Sequence, residues 1–245
     1  MTQSLRNLFK LIAEPLMTVA IVFAATTAIA QPFYVPSGSM EPTLQIGDAL
    51  LGSKFIYGYS RWSLPFGTGL AGDGRLFGKL PKRGDVVVFR LPRDTAQVYV
   101  KRVIGLPGDH IQMIHGRLVI NGQMVPLTAA GTGQVEDGEG QWHAIARFTE
   151  VLPGGVSHPI FKAGWNGPLD DTPVYTVPAG HLFMMGDNRD NSLDSRVPPE
   201  DSGVGYVPVD NLMARAEFTL GSYDFLNAHE GWLAQIRLSR FLKAI

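Results

Sequence analysis

Two serines two residues apart, Ser37 and Ser39, stand in the stretch Pro36-Ser37-Gly38-Ser39-Met40-Glu41-Pro42-Thr43. Pro36 and Pro42 lack N–H groups and restrict φ, so the stretch is a poor helix and a stiff, extended or turning segment. Gly38 lets the backbone approach another group closely. A serine held in this way is a nucleophile if a base takes its proton. Read alone, the same string is equally a Ser/Gly/Pro linker, so the rest of the chain must supply the base.

Lys101 is the candidate base. It lies in Gln97 to Ile104, QVYVKRVI, which reads as a strand. Alternation puts Tyr99, Lys101 and Val103 on one face and Val98, Val100, Arg102 and Ile104 on the other. Burial between an aromatic and a β-branched neighbour disfavours the ammonium and makes a neutral amine available. A strand lysine also commonly snorkels to water, and the sequence leaves both readings open. Six histidines (His110, His115, His143, His158, His181 and His229) raise a Ser/His/Asp triad, but the chain has no G-x-S-x-G elbow. The stretch Gly186 to Arg196, GDNRDNSLDSR, imitates a calcium loop only loosely. An EF-hand counted from Asp190 needs Gly and Glu where the chain has Ser195 and Asp201. The stretch reads better as an ion-pair and hydrogen-bond network holding neighbouring strands.

The elements that must position these residues are mostly β. The 28 glycines and 17 prolines in 245 residues predict many turns between short strands. Strands are expected over Leu44 to Ser53, Val86 to Phe89, Gln97 to Ile104, Gly180 to Met185 and Val207 to Leu220. Asp109 to Val125 reads as a meander with turns at His115-Gly116 and Asn121-Gly122. Ala129 to Gly140 reads as a loop. So does Tyr57 to Gly78, whose Trp62, Phe66 and Leu70 either dip into a membrane interface or pack on the domain. Trp232 to Ile245 reads as a short amphipathic helix, with Arg237, Arg240 and Lys243 opposite Leu238, Phe241, Leu242 and Ile245. No cysteine is present, which excludes disulfides, thiolate nucleophiles and Cys-based zinc sites. A net charge of −1 gives no sign of a nucleic-acid partner.

At the N-terminus, Arg6 and Lys10 precede the uncharged run Leu16 to Ala30. The run is either a transmembrane helix or the core of a cleaved signal ending in Ala28-Ile29-Ala30. On both readings the chain after Gln31 is exported.

Four strings in order, SGSMEPTL, RGDVVVF, YVKRVIGLPGD and GDNRDNSLDSR, resemble the sequence boxes of bacterial type I signal peptidases, membrane-bound serine proteases that use a Ser/Lys dyad. The likeness covers about Pro32 to Gly108 and Pro178 to Leu220. It implies a mainly β fold: an antiparallel β catalytic domain (31–108 plus 176–231) with an inserted smaller β cap domain (109–175). One N-terminal transmembrane helix within 1–30 precedes it, and the amphipathic helix 232–245 follows. It implies Ser39 as nucleophile, Lys101 as base, Ser37 as an oxyanion donor beside the Ser39 N–H, and Ser192 orienting the amine. Asp187, Asp194, Arg196 and Arg102 are then a structural network near the site. No metal and no cofactor are implied. The partners implied are the signal peptides of exported preproteins and the lipid bilayer, with no nucleic acid, for a monomer.

The implied location is the bacterial plasma (inner) membrane, single-pass, with the catalytic domain on the periplasmic side. The substrate is expected as an added edge strand, with small side chains one and three residues before the cut. Ala30 to Ser39 spans at most about 30 Å, which keeps Ser39 close to an anchoring membrane. The chain departs from the family pattern at Val197-Pro198-Pro199-Glu200, where an aromatic and a glycine often follow. Two other classes remain: a self-cleaving Ser/Lys regulator, for which the sequence offers no DNA-binding domain, and a non-catalytic membrane-tethered β scaffold.

Overall fold

A run of apolar residues with no polar alternation is a strand covered on both faces. Val86-Val87-Val88-Phe89 is such a run, and it lies in the middle of the largest sheet. The computed structural model describes residues 3–63, 74–136, 141–224 and 235–245. One helix, α1 (Gln3–Ala28), leads into β1 (Ala30–Tyr34) and β2 (Asp48–Ser53), which are followed by β3 (Val86–Leu91) and β4 (Asp94–Gly105). Then come β5 (His110–Ile114), β6 (Arg117–Ile120), β7 (Gln123–Met124), β8 (Leu127–Glu136), β9 (Trp142–Val151) and β10 (Ser157–Lys162). The chain closes with β11 (Tyr175–Thr176), β12 (His181–Met185), β13 (Val207–Pro208), β14 (Leu212–Ser222) and β15 (Lys243–Ala244).

The large sheet runs β1-β2-β14-β3-β4-β12-β13, with β15 added to β14. Its strand pairs are antiparallel. Both faces of β3 are used. Val87, Phe89 and Leu91 join a cluster with Leu182, Met184 and Leu212. Val86 and Val88 join another with Val35, Met40 and Leu44. Each such side chain contributes about 1.5–3 kcal/mol on burial. The second cluster grips Met40 and Leu44 on either side of the Glu41-Pro42-Thr43 turn, which anchors the serine segment to the sheet.

Residues 110–176 form two further sheets, β11-β5-β6-β7 and β10-β9-β8, so β11 (Tyr175–Thr176) crosses the expected boundary at 175. Their hairpins are set by the predicted dipeptides. His115 (φ 48°) and Gly116 (φ 72°) turn β5 into β6, and Asn121 (φ 54°) and Gly122 (φ 78°) turn β6 into β7, the positive-φ pairs that tight hairpins require. A third cluster joins Ile104, Phe183 and Met185 of the large sheet to Ile111, Met113 and Ile120. The large sheet and the β11-β5-β6-β7 sheet therefore share one packed core.

Several expectations need correction. The strand expected from Leu44 begins only at Asp48, because Gln45 to Gly47 form a turn whose Gln45 N–H donates to the Asp48 carboxylate (2.8 Å). Of the loop expected over Ala129 to Gly140, residues 129–136 belong instead to strand β8, paired with β9, and 137–140 lie outside the described residues. The pairing is made by the backbone, so composition hid it. In the Tyr57 to Gly78 segment, Phe66 and Leu70 lie outside the described residues, while Trp62 is half-buried under Arg61 and Arg90 (4.9 and 5.6 Å).

Helix α1 exists, but it ends at Ala28, and Ala30 is already paired with Ser53 in the β1–β2 ladder. Among the described residues no helix is long and apolar enough to cross a membrane. Glu14 and Pro15 interrupt the apolar run. The expected transmembrane span is thus replaced by a helix that exposes Leu11, Leu16, Met17, Val19 and Ile21.

The expected C-terminal helix is likewise absent over the described part, 235–245. Here the chain makes one 3-10 turn (Leu238–Arg240) and the edge strand β15, and Leu242 takes φ 53°. Arg240, expected on the basic side of that helix, is buried on Asp48, with Arg240 Nε donating to Asp48 Oδ1 (2.6 Å). Removing one member of a buried pair strands the other charge. Arg240→Ala is therefore expected to cost about 3–5 kcal/mol, read as a lowered midpoint in urea unfolding.

Candidate active site

Ser39 sits in a single 3-10 turn, Gly38–Met40, and is 9% exposed. Opposite it, on β4, Lys101 is 3% exposed. Alternation along β4 turns the Lys101 side chain toward the serine segment, and Lys101 Nζ lies 2.5 Å from Ser39 Oγ. Among the described residues this amine makes no ion pair within 4 Å. Its other neighbour is the Tyr99 ring, 5.6 Å to the centroid.

Burial is the chief reason the Lys101 amine is pushed down, to about 8. The more distant Asp194 and Asp187 pull it back up, and Arg196 opposes them. The result is a lysine about a tenth neutral at pH 7 and half neutral near pH 8, in hydrogen-bond contact with a hydroxyl. That is the geometry of a nucleophile and its base.

Ser37 Oγ is 3.4 Å from Ser39 Oγ. Ser192 is buried and lines the same cleft, but its Oγ has no hydrogen-bond partner among the described residues, so the expected bond to Lys101 is not made in this structure. The cleft, about 900 Å³, runs over both serines and Lys101 and is walled by Phe33, Leu50, Val88, Val100 and Leu193.

The residues after β12 hold the serine segment by its backbone. The Asn188 N–H donates to the Ser39 carbonyl (3.1 Å), and Asn188 Nδ2 to the Gly38 carbonyl (3.1 Å). Gly186 passes so close that an added Cβ would collide with Ser192 Oγ and the Ser39 carbonyl oxygen. Asp187 accepts from Arg102 Nε (2.8 Å) and Nη2 (2.7 Å), and from Thr43 Oγ1. Burial alone would raise the Asp187 carboxyl, but Arg102 and His158 hold it far below the usual carboxylate range. Asp194 accepts from the Gly186 N–H (3.0 Å) and from Arg196 Nε (2.9 Å) and Nη2 (2.8 Å). Its carboxyl is likewise held down against burial, chiefly by Arg196. The four residues expected as a structural network are thus two buried carboxylate–guanidinium pairs flanking the serine backbone.

Sequence reasoning missed the layer behind them. His158 of β10 lies between two carboxylates, Nε2 3.2 Å from Glu150 and Nδ1 3.3 Å from Asp187. Burial would lower its pKa, but the two acids raise it. Glu150 also takes both arms of Arg189 (2.9 and 2.5 Å). Although burial opposes it, these cations bring the Glu150 carboxyl down to about 2. Arg189 and Asn188 stood in the acidic string without assigned roles. Glu150 and His158 carried no local signal, because their partners are far away in sequence.

The family model described as "Signal peptidase, peptidase S26" matches residues 8–221. A signal peptidase I of Rickettsia akari (strain Hartford) is 36% identical over 244 residues, 92% of this chain and 88% of the relative. The signal peptidase I of Rickettsia typhi is 37% identical over 244 residues, with 92% and 89% covered. A solved signal peptidase I from Enterococcus faecalis V583 superposes with TM-score 0.32 at 25% identity, covering 56% of this chain and 97% of that one.

The buried amine has a consequence for stability. Unfolded Lys101 titrates near 10.5 and the folded one near 8, so burial opposes folding fully below pH 8. The penalty fades between 8 and 10.5, where the unfolded chain holds the extra proton, and is gone above that. Lys101→Met is expected to be more stable than the parent by about 3 kcal/mol at pH 7. Paired urea titrations at pH 7 and near 10.5 should show the gap closing.

Proposed function

The chain belongs to the S26 signal peptidases and is a serine peptidase of that family, and on that premise we propose that it removes N-terminal signal peptides from exported preproteins with a Ser39/Lys101 dyad. One observation carries the reading: a buried lysine amine without an ion-pair partner among the described residues, 2.5 Å from a serine hydroxyl that lines the same open cleft. A non-catalytic scaffold would gain nothing from that contact and would lose the stability that burying the amine removes.

In the proposed reaction neutral Lys101 takes the proton of Ser39 as Oγ attacks the scissile carbonyl. The Ser39 N–H and the Ser37 hydroxyl stabilise the oxyanion. The Lys101 ammonium then protonates the departing amine, and water, deprotonated by the same lysine, releases the acyl group. Ser192 orients the amine once substrate closes the cleft. Its unpaired, buried Oγ leaves it free to do so. Asp187, Asp194, Arg102 and Arg196 keep the serine backbone in register. The signal peptide lies extended along the cleft, and small side chains near the cut fit its shallow apolar wall.

Helix α1 holds the enzyme on a lipid bilayer, with the sheets at the outer face of the bacterial plasma membrane. Its exposed Leu, Met, Val and Ile side chains support this. Only Ile29 to Gly38 lie between the end of α1 and Ser39, a length that supports a nucleophile close to the bilayer. The two sheets of residues 110–176 form a cap on the catalytic sheet.

Purified protein should cleave a preprotein after an A-x-A sequence. Folded Ser39→Ala and Lys101→Ala should each lose about a thousandfold or more in kcat/KM. For the parent, kcat/KM should rise about tenfold per pH unit and level off near pH 8. Strong cleavage by Lys101→Ala at neutral pH would exclude the dyad. Deleting residues 1–28 should move the protein from the membrane fraction to the supernatant after carbonate extraction. Retention in the membrane fraction would remove α1 as the attachment.

A further inference from the structure

A second buried lysine, Lys162, takes no part in the chemistry above. It ends β10 with a side chain 1% exposed, and its Nζ lies 2.5 Å from Asp170 Oδ1 and 2.5 Å from Asp190 Oδ1. Asp170 belongs to the loop after β10, and Asp190 to the acidic stretch beside Ser39. The other Asp190 oxygen accepts from the Ala163 N–H (2.7 Å) and the Gly164 N–H (3.3 Å). Asp170 Oδ2 accepts from the Gly167 N–H (2.8 Å), and the Asp170 carbonyl accepts from the Gly116 N–H (2.8 Å). The loop is thus tied at both ends to one buried ammonium, and through it to the stretch that carries Ser192.

Between the tied ends lie Pro168 and Leu169. Both line the cleft that runs over Ser39 and Lys101, where they share the wall with Asn191 and Leu193. Leu169 is half-buried, Pro168 is exposed, and neither belongs to a packed core. Desolvating a lysine and an aspartate is costly unless their geometry is good. Here that geometry fixes a small apolar surface at the lip of the cleft. A wall held rigid before substrate arrives binds without an ordering cost.

We propose that the 163–171 loop is a specificity wall of this peptidase: Leu169 touches the preprotein beside the scissile bond, and the Lys162 clamp to Asp170 and Asp190 sets its position. The inference rests on the signal-peptidase reading of the cleft and adds to it the element that selects residues around the cut. Leu169 is the contact. Lys162 and Asp170 are positioning residues that touch no substrate.

The test measures kcat and KM separately on peptides that carry an A-x-A sequence and vary in the two residues on either side of the cut. Leu169→Ser should raise KM about fivefold on the preferred peptide, the part-loss of one leucine's burial. Its kcat should stay within about twofold, and the order of preference among the peptides should change. Leu169→Met should restore parental KM. Asp170→Asn should produce the same KM change from outside the cleft, and combining it with Leu169→Ser should add little. Leu169 lies at the lip, so its variant tests the wall even if Asp170→Asn does not fold. If the parent cleaves these peptides and Leu169→Ser matches it in KM and in preference, the wall is refuted while the dyad stands. If the parent cleaves none of them, the reading of the cleft fails and the wall with it.

Discussion

An amine removed from water beside a hydroxyl is the constraint around which this structure is arranged. Lys101 is 3% exposed and 2.5 Å from Ser39 Oγ, with no carboxylate among the described residues within salt-bridge distance. Had one been within salt-bridge distance, the amine would be held as an ammonium and could not act as a base. The chain instead keeps its acids one step away. Asp187 and Asp194 pair with Arg102 and Arg196, and the Arg196 charge partly offsets their pull on the lysine. The lowered pKa comes from burial and from this partial cancellation together.

The same arrangement explains why the acidic stretch is crowded with paired charges. Two carboxylates near a buried lysine amine would hold it as an ammonium if left unpaired, and here two guanidinium groups pair them instead. His158 and Arg189, through Glu150, extend the pairing into β9 and β10. The residues outside the large sheet are therefore coupled to the serine backbone through Asp187 and Asn188. Buried ion pairs are poor sources of net stability, and their attested use is to specify one arrangement. Here the arrangement specified is the register of Gly38 and Ser39 against the end of β12.

Sequence carried most of the site and part of the fold. Ser39, Lys101 and the acidic string were legible because chemistry restricts residue types over short spans. The His115-Gly116 and Asn121-Gly122 hairpins were legible because positive φ restricts them as strongly. What escaped were features decided at a distance. Residues 129–136 became a strand because β9 offers a ladder, and Arg240 became a buried cation because Asp48 lies under it. Glu150, His158 and Lys162 acquired partners that no local pattern announces. Apolar content suggested a spanning helix at the N-terminus, but Glu14, Pro15 and the early start of β1 shorten the apolar run. Membership of the family was readable from four ordered strings, whereas Ser192 shows that a residue can be carried to the site without making the bond expected of it.

The titration of Lys101 itself tests the account most directly. Heteronuclear NMR of protein labelled at the lysine ε-carbons, with the Lys101 signal assigned by its loss in Lys101→Met, would follow the amine alone. The account predicts an inflection near pH 8. An inflection at the ordinary lysine value, about 10.5, would mean that the amine is an ammonium throughout the working range, and would contradict Lys101 as the base.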